Sequence, residues 1–237
     1  MTNHPKYPDH HKTSWIAGQI KEVVFGMEDG MVSTLGAITG IAVGSGEHFV
    51  VILSGCVIIA VESISMGVGS YISNKSQKDI FKRKLHEEKE EIKTFPEEEE
   101  KELVQIYLKD GWPEKLAKQM SKTAAADHDL FLTEMAYHEL NILPQDGSSP
   151  IKDGIVMFFS YIIGGAVPLT SYFFLSLNKA LPASIIITLA GLFILGTATT
   201  KLSKRKWWKA GLEFLILASV ATGVGYLVGQ LAENFIK

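Results

Sequence analysis

Residues 49–71 read FVVILSGCVIIAVESISMGVGSY, and this stretch decides the class of fold. It carries one charged residue, Glu62, in 23 positions. A helix of about 20 apolar residues is long enough to cross the hydrocarbon core of a bilayer. We therefore predict that this stretch is a transmembrane helix.

Four further runs of the chain have a similar length and apolar character. They cover, approximately, residues 23–43, 154–177, 181–199 and 210–231. The sequence thus predicts an all-α, polytopic membrane protein with five transmembrane helices. Residues 1–22 are expected to form a tail and an amphipathic segment on the membrane surface.

Charged residues are concentrated between the second and third runs. Of the 26 Asp and Glu residues, 18 lie between Lys75 and Asp153, together with 13 of the 23 Lys and Arg residues. We predict that residues 73–152 form a helical cytosolic insert, in which Pro96 interrupts the first long helix. The expected insert elements are helices at residues 75–93, 97–108, 113–121 and 124–140 and a linker at residues 143–150. The flanking domains, residues 23–72 and 153–237, would hold the transmembrane helices.

Basic residues indicate which helix ends face the cytosol. The connection after the fourth run is rich in them, whereas the connection at residues 44–48 has none. The basic residues are Lys201, Lys204, Arg205, Lys206 and Lys209. Short loops rich in Lys and Arg lie on the cytosolic side. We therefore expect the N-terminus and the insert in the cytosol and the C-terminus outside.

The chain has one cysteine, Cys56, so a disulfide within the chain and a thiolate metal cluster are both excluded. Its place inside an apolar run predicts a small, buried side chain. The first apolar run contains Glu28 and Asp29 and has no small-residue cleavage site. It is therefore not expected to be a signal peptide.

Two acidic residues within the apolar runs, Asp29 and Glu62, are candidates for a transport path. A charge inside a membrane is costly and usually faces a bundle interior or a water-filled route. Met66 follows Glu62 by one helical turn, and its thioether suits transition metals better than Ca²⁺ or Mg²⁺. The alternatives are that Asp29 reaches water from the helix end and that Met66 only fills space.

Glycines recur along the first run, at Gly26, Gly30, Gly36, Gly40 and Gly44. Small residues at this spacing let helix backbones approach closely, either within one chain or between two chains. Five helices make a thin bundle in which to bury Asp29 and Glu62. We therefore expect a homodimer with the path between the subunits.

The insert holds two pairs of glutamates at helical spacing. Residues three apart share a helix face, and the pairs are Glu88 with Glu91 and Glu99 with Glu102. The last predicted helix adds Met135, His138 and Glu139. Carboxylates from facing helices build metal sites in helical bundles, so these residues are candidate metal ligands. The alternative is that the glutamates only form a solvated helix face.

Two segments resemble the signatures of a known family. Residues 29–36 (DGMVSTLG) and 63–71 (SISMGVGSY) are similar to the paired motifs of the vacuolar iron transporter family, and the layout of runs and insert is similar as well. The resemblance implies a homodimeric exchanger that takes Fe²⁺, and often Mn²⁺, out of the cytosol against protons. It also implies that Asp29 and Met66 lie on the path. The metal-binding residues that it implies for the insert are Glu88, Glu91, Glu99, Glu102, Met135 and Glu139.

The chain departs from that family in two places. The family's second-span glutamate lies where this chain has Ile58, and the nearest carboxylate here is Glu62, one turn further along. The family also often has two adjacent methionines on the third insert helix, whereas Met135 is followed by Ala136. We expect Glu62 to substitute for the displaced carboxylate and His138 to be an additional ligand.

The sequence therefore predicts a secondary transporter rather than an enzyme. The expected substrates are Fe²⁺ or Mn²⁺, with Co²⁺ and Zn²⁺ as further candidates, and no prosthetic group is expected. The expected partners are membrane lipid, protons and a second copy of the chain, without nucleic acid. The expected location is the cell membrane of a prokaryote or the vacuolar membrane of a eukaryote.

Two other functions are compatible with parts of the sequence. A membrane-anchored di-iron oxidase or iron-storage protein would need Glu-x-x-His pairs on two helices. In residues 135–138, which end at His138, the glutamate of that motif is replaced by Met135. This segment therefore does not provide a Glu-x-x-His pair. A carrier for an organic cation is the other alternative, but it would leave the clustered glutamates without a role.

Overall fold

The computed structural model describes residues 13–140, 149–203 and 205–236, which form eight α-helices. They are α1 (Thr13–Ser45), α2 (His48–Thr94), α3 (Pro96–Lys109), α4 (Glu114–Ala125), α5 (His128–His138), α6 (Pro150–Phe174), α7 (Leu177–Ser203) and α8 (Trp207–Ile236). The chain divides into two compact units. Described residues 73–140 belong to the insert unit, and the described residues before and after them belong to the bundle unit.

Four of the eight described helices, α2, α6, α7 and α8, are long and apolar enough to cross a membrane. This is the pattern of a polytopic, all-α membrane protein. α1 is not among the four, and its first half contains Lys21, Glu22, Glu28 and Asp29. It nevertheless has a central place in the bundle unit, where it packs against α6, α7 and α8.

Glycines allow α1 to pack closely against two other helices of its own chain. A Cβ atom on Gly40 would lie 2.7 Å from the backbone oxygen of Gly225 in α8. A Cβ atom on Gly26 would lie 3.0 Å from the backbone oxygen of Met157 in α6. The glycine spacing of α1 thus supports helix packing within one chain, one of the two interpretations that the sequence allows.

α2 leaves most of its membrane-length part uncovered by the rest of the bundle unit. Its inner face is marked by Gly55 and Gly67, and the latter packs against Gly154 of α6. Its outer face carries exposed apolar side chains at helical spacing, namely Phe49, Leu53, Val57, Val61, Ile64 and Val68. Cys56, which the sequence predicts to be buried, is exposed. That prediction is wrong because a helix that is apolar all round gives no sign of which face points inward.

Most helix boundaries differ from the predicted ones by a few residues, and α6 begins at Pro150, the last residue of the predicted linker. Two further differences concern how segments join. The surface segment expected before residue 23 is continuous with the apolar run predicted at residues 23–43, and both belong to α1. In the insert, α4 continues to Ala125 and α5 begins only at His128. Asp127 causes this break, because its side chain accepts hydrogen bonds from the backbone N–H groups of Asp129 and Leu130 and so caps α5. The predicted tail before residue 13, most of the linker and Lys204 lie outside the described residues.

The insert unit has an apolar core of its own. Its buried members are Ile92, Leu103, Tyr107, Ala117, Ala124, Phe131 and Met135, which come from α2, α3, α4 and α5. Pro96 begins α3 directly after α2 ends at Thr94, as the sequence predicts. Gly111 makes the turn before α4 with φ of 94°, a conformation that favours glycine.

Candidate metal sites

Three glutamates from three helices converge in the insert unit. Glu88 comes from α2, Glu99 from α3, and Glu139 follows the last residue of α5. One carboxylate oxygen of each lies within 4.8 Å of the other two. Glu88 and Glu99 are only 2% and 8% exposed, whereas Glu139 is exposed. We call these three residues the insert cluster; their oxygens are spaced so that one divalent cation can contact all three.

The helical repeat explains why two of these glutamates are buried. Glu88 precedes the core residue Ile92 by four positions, and Glu99 precedes the core residue Leu103 by four. Residues four apart share a helix face. On both helices, the face that points into the apolar core therefore also carries a glutamate, and its carboxylate lies at the edge of that core.

Burial and mutual repulsion raise the pKa values of the three glutamates of the insert cluster. Burial, and then repulsion by Glu139, Glu99 and Glu91, raises the pKa of Glu88 to about 8. Burial also raises the pKa of Glu99 and of Glu139, and repulsion by Glu102 adds to both shifts. The exposed Glu91 and Glu102 thus belong to the same electrostatic neighbourhood, as their spacing suggested. Glu88 therefore keeps its proton to a higher pH than an ordinary carboxyl group, and a bound cation would favour loss of that proton.

Glu88 lacks a partner for one of its oxygens. Its Oε1 atom is buried, and none of the described residues offers it a hydrogen bond. The glutamates on the outer face of the same helix do have partners. Glu87 Oε1 lies 3.4 Å from Arg83 Nε, and Glu90 Oε1 lies 2.7 Å from Lys93 Nζ. A buried carboxylate oxygen without a partner is costly, and a cation would remove that cost.

Met135 and His138 do not lie in equivalent positions. Met135 is fully buried among the apolar side chains of the insert core. The Nδ1 atom of His138 lies 3.0 Å from Asp110 Oδ2, and its Nε2 atom lies 3.5 Å from Glu134 Oε2. His138 therefore connects α5 to the end of α3, and the structure does not bring it into the insert cluster.

The bundle unit brings Asp29 and Glu62 into electrostatic contact. Asp29 of α1 is half-buried, and Glu62 of α2 is exposed but acts on Asp29 as a like charge. Met66, one turn after Glu62, is half-buried. We call Asp29, Glu62 and Met66 the path cluster. In contrast, Met31 is buried against apolar residues of other helices, which is a packing role.

Sequence analysis did not identify a tyrosine that contacts the path cluster. The hydroxyl of Tyr161 in α6 lies 3.2 Å from Glu62 Oε2 and 2.6 Å from Ser33 Oγ. Its side chain is fully buried. The sequence does show a tyrosine within an apolar run, and the hydroxyl of such a tyrosine usually needs a hydrogen-bond partner. Tyr161 could therefore have been predicted to face a polar group.

Most of the chain is similar to proteins named vacuolar iron transporters. The model of the VIT family matches residues 20–230. Vacuolar iron transporter 1 of Eucalyptus grandis is 28% identical, with 95% of this chain and 92% of the relative covered. The vacuolar iron transporter of Plasmodium berghei is 29% identical, with 98% and 88% covered. Vacuolar iron transporter 1 of Arabidopsis thaliana is 25% identical, with 95% and 92% covered. The match over most of the chain confirms the family that the motifs at residues 29–36 and 63–71 indicated: this protein belongs to the VIT family.

Proposed function

We propose that this protein moves Fe²⁺ or Mn²⁺ out of the cytosol across a membrane in exchange for protons. The relatives that it resembles are named iron transporters. The observation that carries the proposal is the insert cluster, in which three carboxylates converge and Glu88 has a buried oxygen to which no described residue hydrogen-bonds. Oxygen-rich sites of this kind bind divalent cations.

In this proposal the ion crosses the membrane at the path cluster. Two carboxylates, Asp29 and Glu62, neutralise the dication, and the thioether of Met66 favours a transition metal over Mg²⁺. The same carboxylates take up protons after the ion leaves, which gives a physical basis for exchange. We propose that α1 is a fifth span: it packs against α6, α7 and α8, and a charged side chain within a span is tolerated where it faces other helices.

We propose that two copies of the chain associate through α2, with the N-terminus and the insert in the cytosol. The support is the exposed apolar stripe of α2 and the exposure of Glu62 on the same helix. A second copy would cover the stripe and enclose Glu62 in a polar interior, where a charged side chain is tolerated.

In the insert, the proposed ligands are Glu88, Glu99 and Glu139, supported by Glu91 and Glu102. The buried Met135, one turn before Glu139, is proposed as a soft donor from the core side. His138 is left out of the ligand set because both of its ring nitrogens face other acidic groups.

Replacing Glu88 and Glu99 together by glutamine should remove metal binding by the insert. Glutamine keeps the shape of both side chains but removes the charges that attract a cation. For the parent protein, Mn²⁺ at about 100 times its Kd should stabilise the fold by about 2.7 kcal/mol, a rise in melting temperature of several degrees. We expect this rise, measured in detergent with and without Mn²⁺, to fall by more than half in the variant.

A matched control lies on the same helix. Glu87→Gln with Glu90→Gln removes two charges from the outer face of α2, where both carboxylates already pair with basic side chains. In this control variant, Mn²⁺ should raise the melting temperature as much as it does in the parent protein. Equal losses in the two double variants would show that only the total charge of the insert matters, not the insert cluster.

The pKa of Glu88 predicts how the metal-free insert responds to pH. Its folded value of about 8 lies above the value of 4.5 expected in the unfolded chain. The folded insert therefore keeps a proton that the unfolded chain has lost, and stability decreases as the pH rises from about 5 to about 8. Thermal melts in EDTA should shift to lower temperature across this range, and added Mn²⁺ should stabilise most at the alkaline end. A metal-free melting temperature that rises with pH would contradict this account.

Transport by the whole protein can be tested in sealed vesicles. Protein reconstituted into liposomes with an imposed pH gradient should accumulate Fe²⁺ or Mn²⁺ in the direction opposite to the proton flow. Collapse of the gradient with a protonophore should stop accumulation. Oxidation of Fe²⁺ by dioxygen without any accumulation would instead favour the membrane-anchored oxidase.

A further inference from the structure

One hydroxyl group connects three helices of the bundle unit. Tyr161 lies on α6, and its hydroxyl oxygen is 2.6 Å from Ser33 Oγ on α1 and 3.2 Å from Glu62 Oε2 on α2. The tyrosine side chain is completely buried. The contact therefore joins a buried aromatic side chain to an exposed carboxylate.

The direction of these hydrogen bonds follows from the chemistry of the groups. An ionised carboxylate can only accept, so the tyrosine hydroxyl donates its single proton to Glu62. Ser33 must then donate to the tyrosine oxygen. Ser33 follows Asp29 by four residues and shares its helix face. The two-bond chain thus runs from the face of α1 that carries Asp29 to the carboxylate of Glu62.

The backbone around Asp29 permits this approach. A Cβ atom on Gly30 would collide with the backbone oxygen of Tyr161 and would lie 2.8 Å from the backbone nitrogen of Gly165. Only glycine at position 30 lets α6 come this close to the turn of α1 that holds Asp29. The glycine next to Asp29 therefore also determines where the tyrosine hydroxyl lies.

We propose that Tyr161 is a positioning residue of the path cluster, which holds the Glu62 carboxylate beside Asp29 through its hydroxyl. The proposal rests on the proposed function. It explains how a glutamate on the exposed side of α2 can act with Asp29 although position 58, one turn earlier, is an isoleucine. Tyr161 hydrogen-bonds to Oε2 of Glu62, which leaves Oε1 to contact the ion.

Mn²⁺ binding to the path cluster should depend on the Tyr161 hydroxyl. The parent for the test is the full chain with Glu88→Gln and Glu99→Gln, in detergent, so that the insert cluster does not contribute. Unbound Mn²⁺ is measured by electron paramagnetic resonance during a titration. We expect Tyr161→Phe, which removes one oxygen atom, to weaken Mn²⁺ binding about tenfold, since a hydrogen bond to a charged group is lost.

Three comparisons separate positioning from packing. Tyr172→Phe is the matched control, because Tyr172 is equally buried on the same helix and none of the described residues hydrogen-bonds its hydroxyl. It should bind Mn²⁺ within about twofold of the parent. Ser33→Ala, which keeps the tyrosine but removes its donor, should cause a smaller loss of about threefold. In the Glu62→Gln background, Tyr161→Phe should cause no further loss, because its effect acts through Glu62.

The outcomes distinguish this inference from the proposed function. A parent that binds no Mn²⁺ would overturn the proposed path cluster and the role of Tyr161 with it. If the parent binds Mn²⁺ and the Tyr161→Phe variant binds it with an affinity within about twofold of the parent, only the role of Tyr161 would be overturned. If the losses of Mn²⁺ affinity caused by Tyr161→Phe and by Glu62→Gln multiply in the double variant, the role of Tyr161 would also be overturned. If Tyr161→Phe does not fold, the Ser33→Ala titration decides, and unchanged binding there would count against the proposal.

Discussion

The Asp29→Asn variant is expected to carry no Fe²⁺ or Mn²⁺ above the leak of empty vesicles. Asparagine keeps the size of the side chain but removes one of the two carboxylates that repel each other in the bundle unit. A dication left with Glu62 alone would hold an uncompensated charge in a poorly solvated place. Such a charge costs several kcal/mol, which corresponds to a loss of at least about 100-fold in transport. Initial rates of uptake into vesicles measure this loss.

Glu28→Gln is the control for the loss of a charge in this part of α1. Glu28 is adjacent to Asp29 and also half-buried, but the proposed path cluster does not include it. This variant should keep most of the flux. Near-normal transport by Asp29→Asn would remove Asp29 from the path, and equal losses in both variants would point to a general effect of charge.

Gly225→Val should strongly reduce the amount of folded protein. A Cβ atom at position 225 would collide with the backbone oxygen of Gly36 and would lie 2.8 Å from its carbonyl carbon. The obstacle is backbone, so no side chain can move aside, and α1 and α8 would have to separate. Overpacking of a rigid core costs roughly 1–3 kcal/mol, and the separation of two helices adds to this cost. We expect a melting temperature in detergent lower by about 10 °C or more.

Gly223→Val tests whether glycine itself matters in α8. A Cβ atom at position 223 meets no atom within 4 Å among the described residues. This variant, two residues away on the same helix, should melt within about 2 °C of the parent. A Gly225→Val protein as stable as Gly223→Val would mean that α1 and α8 do not pack as closely as described.

The sequence predicted most of the helices because their signals are local. Long apolar runs gave α2, α6, α7 and α8, and the missing N–H group of proline explained the break at Pro96. The gap between α4 and α5 was predicted at residues 122–123 and lies at residues 126–127, because the three alanines at 124–126 favour helix more strongly than the capping residue Asp127 indicates a break. A local preference at one position was outweighed by the pattern around it.

The candidate sites could be predicted only in part. The spacing of Glu88 and Glu99 relative to Ile92 and Leu103 was visible in the sequence, but their convergence with Glu139 depends on how three helices pack. The contact of Tyr161 with Glu62 joins residues 99 positions apart, and no periodic pattern encodes such a pair. Contacts of this kind follow from tertiary packing, which a single sequence does not specify.

The contacts between glycines of α1 and α8 limit which sequence changes can compensate one another. In most of a protein interior, a larger side chain can be accommodated when its neighbour becomes smaller. At each of Gly36, Gly40, Gly225 and Gly229, the nearest atom that an added Cβ would meet is a backbone oxygen of the opposite helix, which no substitution can remove. No second substitution on the opposite helix can restore space lost at any of these four positions. We therefore expect them to tolerate change only if the whole pair of helices shifts, so that α1 and α8 evolve as one unit.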